Sequence, residues 1–203
     1  MNPVAPFLGV LAGLAGLADT IPYVRDTVSG GTRPHRGSWL IWTVLAIIAA
    51  LSQRADGASW SVIMTATQAI LTGLVFVLAI RYGEGGMSPV DLGLIGLAGA
   101  GVIGWILAGD PVVALGCVIA ADLIAFGLMI PKVHRDPGSE TLSTYALASV
   151  GGGLAAAAVE QPDLSLLLYP AYYCLANAAA AILIHRRRVT LGIAKAPRGT
   201  AHG

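Results

Sequence analysis

Charge is scarce in this chain. Asp, Glu, Lys and Arg make up 11% of its 203 residues, against roughly 25% in soluble domains, which is too little to cover a globule in water. Lysine is scarcer still, with Lys132 and Lys195 beside ten arginines. Neither lysine is placed inside an apolar stretch, so the intramembrane amine of a retinal Schiff base is missing and a photoreceptor of that type is excluded. The four histidines (His35, His134, His185, His202) fall at the edges of apolar stretches or in the tail. They form no nucleophile or metal constellation, and no two acids share a helix face in an apolar segment. The chain is therefore expected to be neither an enzyme nor the holder of a cofactor. Cys117 and Cys174 lie within apolar segments and read as small buried hydrophobes, with no disulfide or metal spacing.

Hydrophobic residues make up 56% of the chain, and its mean hydropathy is +0.75. Apolar stretches of 18 residues or more recur, each long enough to cross about 30 Å of hydrocarbon as a helix. The expectation is a polytopic all-α membrane protein. Seven spans are predicted, at about 4–24, 38–53, 60–80, 90–108, 112–131, 141–159 and 164–185. Pro3 and Pro6 suit a first helical turn, and Pro89 and Pro111 stand at two more helix starts. Gly30-Gly31, Gly83-Glu84-Gly85-Gly86, Gly109-Asp110 and Gln161-Pro162-Asp163 supply turns. No basic residue precedes the first run, so a removable signal peptide is not expected. The tail from 189 to 203 is polar and expected to be disordered.

Basic residues in the connections set the orientation. With seven spans, one side receives Arg25, Arg33, Arg36, Arg81, Lys132, Arg135, Arg186, Arg187, Arg188, Lys195 and Arg198, and the other only Arg54. The expected location is a bacterial inner membrane, with the N-terminus outside and the C-terminus cytoplasmic.

One hexad recurs. Ile21-Pro22-Tyr23-Val24-Arg25-Asp26 closes the first apolar segment, and Ile130-Pro131-Lys132-Val133-His134-Arg135-Asp136 closes the fifth with one inserted residue. Both helices run in the same direction. Two units of three helices can be parallel only if an odd span separates them, so the span at 90–108 is the linker. The predicted organisation is a first triple-helix bundle (1–86), a linker helix (87–110), a second bundle (111–188) and the tail. A pseudo-two-fold axis along the membrane normal would relate the bundles.

This three-plus-one-plus-three plan, with a proline near the inner end of each first helix, resembles the PQ-loop and SWEET superfamily, which includes SemiSWEETs and PnuC-type vitamin transporters. The segments Gly31-Thr32-Arg33-Pro34-His35 and Ser38-Trp39-Leu40-Ile41-Trp42, with Asp122, Gly127, Pro131 and Lys132 in the second half, are similar to a group of bacterial seven-helix proteins. The Pro-Gln pair of the superfamily reads Pro22-Tyr23 and Pro131-Lys132 here. The resemblance implies a substrate site lined by an amide from each third helix and an aromatic from each second: Gln68 with Trp42 or Trp39, and Asn177 with Tyr145. An amide and a ring face suit a neutral polar ligand.

Asp122 is expected near the middle of the fifth span with no basic residue within a turn, either as a further residue of the substrate site or as the group that couples movement to protons, or else as a structural hydrogen-bond partner of a neighbouring helix. Asp19, one turn before Pro22 and nearer to water, is expected either to share such a functional role or to bond an interfacial partner such as Arg25 or Arg36. Pro22 and Pro131 each remove a helical hydrogen bond and act either as hinges or as plain helix ends. Tyr169 and Tyr173 share a face near the outer end of the seventh helix. Glycines at 93, 96, 99, 101 and 104, and at 151–153, are expected to let helices pack closely. Arg186-Arg187-Arg188 pins the last helix, in reach of anionic lipid. The leading expectation is a transporter of a small polar solute working by alternating access, with the bilayer as its other partner and no nucleic acid. A homo-oligomer is compatible with the sequence. An ion channel, a sensor or an assembly factor are the other classes considered.

Overall fold

A computed structural model describes residues 4–55, 61–107, 111–159 and 164–193. Among them the chain is all-α, with seven helices: α1 (Ala5–Val28), α2 (Arg36–Ala55), α3 (Ser61–Tyr82), α4 (Pro89–Leu107), α5 (Pro111–Arg135), α6 (Leu142–Ala157) and α7 (Leu164–Thr190). A 3₁₀ turn, Pro137–Ser139, joins α5 to α6. Among the described residues three helices, α1, α5 and α7, are long and apolar enough to cross a membrane. The turns expected at Gly109-Asp110 and Gln161-Pro162-Asp163, and the tail from 194 with Lys195 and Arg198, lie outside the described residues. Residues 189 and 190, assigned to the tail from sequence, belong to α7.

Local chemistry accounts for the helix boundaries. Pro89 takes the first turn of α4 behind a reciprocal cap, in which the Asp91 amide donates to Ser88 Oγ at 3.0 Å and the Ser88 amide to Asp91 Oδ2 at 3.2 Å. Pro22 and Pro131 do not end their helices: α1 runs six residues further and α5 four. A proline costs the ladder one N–H, and the turns on either side keep theirs.

Helix pairing follows one pattern twice. α3 packs against both α2 and α1, whose own backbones stay apart and meet only through side chains; α7 packs against both α6 and α5, which do the same. The two sets meet through α1 on α6 and α2 on α5. A hydroxyl on the third residue of α2 and of α6 stitches each crossing: Ser38 Oγ donates to the Ala125 carbonyl at 2.6 Å, and Thr144 Oγ1 to the Asp19 carbonyl at 2.8 Å. α4 lies to one side, on α5 and α2.

The α1–α2, α3–α4 and α5–α6 connections and the end of α7 gather at one end of the molecule. Arg33 N–H donates to Ser139 O, Arg36 N–H to Glu84 O and Glu84 N–H to Pro34 O, while Arg188 reaches the Pro137 and Glu140 carbonyls. Gly85, at φ +67°, fits this corner because a Cβ there would stand 2.2 Å from His35 Nε2.

The glycines divide into two groups. Gly151 faces Ala12 and Ala15 of α1, and a Cβ on Gly152 would stand 2.7 Å from the Cys174 amide of α7. In α4, Gly101 and Gly104 pack on Cys117, but Gly93, Gly96 and Gly99 meet nothing within 4 Å. The close packing expected of the whole α4 series therefore holds only for its last turns.

Candidate functional site

The two hexads converge on one carboxylate. Glu140 is 1% exposed; its Oε2 accepts from Tyr23 OH at 3.1 Å and Tyr145 OH at 3.0 Å, and its Oε1 from Lys132 Nζ. Lys132, also 1% exposed, spends its other donors on the Arg33 and Ser139 carbonyls. Trp39 Nε1 donates to Tyr23 OH at 3.0 Å. Tyr23 and Lys132 each directly follow the proline of their hexad, so the residue after Pro22 and the residue after Pro131 grip the same acid from α1 and α5. A buried ion pair needs every remaining lone pair and proton satisfied to offset its desolvation, and here each described partner is in place. This knot ties α1, α2, α5 and α6 together where the connections gather.

Aromatic rings lead from the knot into the bundle. Tyr23 stacks on Trp39 at 4.7 Å, Trp39 meets Trp42 edge-on at 5.1 Å, and Trp42 meets Phe126 at 5.2 Å. Next to Trp42 is Asp122, 5% exposed, which accepts from Tyr172 OH at 2.6 Å and interacts with the Trp42 indole as well. Tyr169 packs against both Tyr172 and Tyr173, at 6.2 and 6.1 Å.

The residues proposed from sequence for the substrate site are distributed between these two levels. Trp42 and Asp122 are brought together. Tyr145 belongs to the knot, where its hydroxyl meets Glu140. Asn177 is buried and turns back on its own helix, donating to the Tyr173 carbonyl at 2.9 Å. Gln68 is half-buried, with no side-chain hydrogen bond among the described residues. Of the two readings of Asp19, the arginine pairing is not found: Asp19 is buried and accepts from Thr20 Oγ1 at 2.9 Å. Arg25 pairs instead with Asp26, and Arg36 with the Ala79 and Gly85 carbonyls. Arginines at a water boundary have nearer acceptors than a carboxylate one to two turns inward.

Sequence reasoning passed over Glu140 and treated Lys132 as a boundary charge. The available signal was an acid eight residues after a lysine at the close of the second hexad, across a Pro-Gly turn that folds the chain back.

Beside the knot, a cavity of about 720 Å³ opens between α4 and the ends of α2, α3 and α5, with His35, Asp91, Arg135 and Pro131 in its wall. His35 Nδ1 accepts from the Ser38 amide at 3.3 Å, which leaves Nε2 facing Asp91 Oδ1 at 4.0 Å. Burial holds this imidazole below the usual histidine range, with Lys132 pushing the same way and Asp91, Glu140 and Glu84 opposing. No group of three or more metal-ligating side chains occurs among the described residues. No protein-family model, curated protein or solved structure matches the chain.

Proposed function

We propose that the protein carries a small polar solute across a membrane by alternating access between two bundles, α1–α3 and α5–α7, with α4 as a linker. The observation that carries this reading is the pairing pattern. Exchanging the two sets maps each contact within and between them onto another, and α4 alone has no counterpart. A pseudo-two-fold axis along the membrane normal accounts for that pattern.

The sequence interval supports the same symmetry. Pro131 follows Pro22 by 109 residues, and so do Asn177 after Gln68 and the fully buried Ile184 after Val75. Thr32 and Thr141, again 109 apart, bond to each other at 2.6 Å. A residue touches its own counterpart only close to a two-fold axis.

In this reading all seven helices cross the bilayer, and the gathered basic end faces the cytoplasm of a bacterial cell with the C-terminus there and the N-terminus outside. The resemblance to PQ-loop and SWEET proteins fits the same plan. The knot closes the cytoplasmic end, and the site lies beyond it, between Trp42, Asp122, Gln68 and Asn177. Bending at Pro22 and Pro131 would swing Tyr23 and Lys132 apart and release Glu140. Purified protein in liposomes is expected to show saturable uptake and exchange of at least one solute from a panel of sugars, nucleosides, vitamins and amino acids. Unitary current steps in planar bilayers, without exchange, would replace the carrier with a channel.

A further inference from the structure

Among the described residues, two carboxylates are buried in the bundle with no ion-pair partner. Asp19 and Asp122 are each 5% exposed, and neither has a Lys, Arg or His ion pair among the described residues. Glu140 is as deeply buried and has Lys132 against it. An ionised acid inside a bilayer costs on the order of 2.5–3.5 kcal/mol even on the mildest scales. Such a group is stable only with a proton on it or with a positive charge brought to it.

The surroundings choose between those two. A carboxyl group that merely holds a proton needs an acceptor or a polar neighbour, and gains nothing from rings. Asp122 is instead set among them. Tyr172 donates to it, Trp42 lies against it, and Trp42, Tyr172 and Tyr173 are all half-buried. A carboxylate beside aromatic rings is the chemistry that holds an ammonium or guanidinium group, since the ring quadrupole attracts a cation that the acid neutralises.

Asp122 and Asp19 also lie at different depths. Asp122 precedes Lys132 by ten residues, about 15 Å along α5, and Asp19 precedes Tyr23 by four, about 6 Å along α1. Asp19 shares a face of α1 with Tyr23, which leads to the knot. An entering cation would meet Asp122 first and Asp19 next.

We propose that the carried solute is a small organic cation, its charged nitrogen held by Asp122 against Trp42 and Tyr172, with Asp19 as a second station on the way to the knot. This rests on the carrier reading and narrows it. The rival is a neutral solute moved with a proton on Asp122.

The test uses the full chain in liposomes, with labelled choline and arginine as cationic probes and glucose and uridine as neutral ones, under an imposed inside-negative potential. Uptake of at least one cation is expected, accelerated by the potential, with Asp122→Asn lowering it about tenfold or more and Trp42→Leu several-fold. Asp122→Asn is close to isosteric; should it fail to fold, Tyr172→Phe keeps the ring and is expected to raise KM for the cation without lowering expression. Uptake of a neutral probe but of neither cation overturns the cation inference and leaves the carrier standing. Uptake of none of the four overturns both, and cation uptake indifferent to Asp122→Asn and Trp42→Leu overturns the site.

Discussion

Glu140 ties the segments at one end of the bundle together because four groups on four segments share its two oxygens or its partner lysine. Removing the charge from one side strands the other. Glu140→Gln keeps the acceptor for Tyr23 and Tyr145 but leaves Lys132 buried without a counter-ion, and is expected to cost about 3–5 kcal/mol. Replacing both, as Lys132→Met with Glu140→Gln, is expected to recover much of that loss. Thermal unfolding in detergent checks the pair; a double variant as weak as Glu140→Gln alone would mean that the charge pair is not what matters. His35 gives a pH signature of opposite origin. Burial holds its imidazole below the ordinary value near 6.5, so as pH falls through that value the unfolded chain takes up a proton that the folded one resists. The folded state then binds fewer protons, and stability declines with acidification below about pH 6.5. The unfolding midpoint is expected to drop between about pH 7.5 and 5.5, and to drop less in His35→Gln.

Helix contacts separate glycines that look alike in sequence. Gly152 and Gly96 both stand mid-helix among apolar neighbours, yet a methyl group on Gly152 would press on the α7 backbone and one on Gly96 would meet nothing. Gly152→Ala is expected to destabilise by about 1–3 kcal/mol through overpacking. Gly96→Ala should be neutral or slightly stabilising, since alanine is the better helix former by up to about 1 kcal/mol. Unfolding midpoints of the two variants measure the contrast, and equal losses would mean that α4 packs in a way the isolated chain does not show. The positions of the helices were legible in the sequence because long apolar runs and the prolines and glycines between them are local signals. Which face of a helix another helix covers is decided by tertiary pairing, so the sequence offered Gly93 and Gly151 the same role. The helices' passage through Pro22 and Pro131 was likewise open, because a proline's local cost is fixed while its neighbours' hydrogen bonds depend on what packs around them.

For the whole molecule, a recurring hexad was enough to suggest two units, because a repeat is visible along the chain without knowing where it folds. The convergence of both hexads on Glu140, and the meeting of Thr32 with Thr141, needed three dimensions: contacts between residues more than a hundred positions apart leave no local mark in one sequence. That meeting also provides a handle on the proposed motion. Thr32 precedes α2 and Thr141 precedes α6, so the gap between them measures the separation of the two sets at the end where the connections gather. In a chain with Cys117 and Cys174 replaced by Ser, cysteines at 32 and 141 are expected to form a disulfide on mild oxidation, since their side-chain oxygens lie 2.6 Å apart. If the sets must part here for solute to leave, the crosslinked protein is expected to lose uptake to background while still binding solute, and reductant should restore it. Crosslinking that goes to completion and leaves uptake unchanged would show that this end need not open, and alternating access about these prolines could not then be the mechanism.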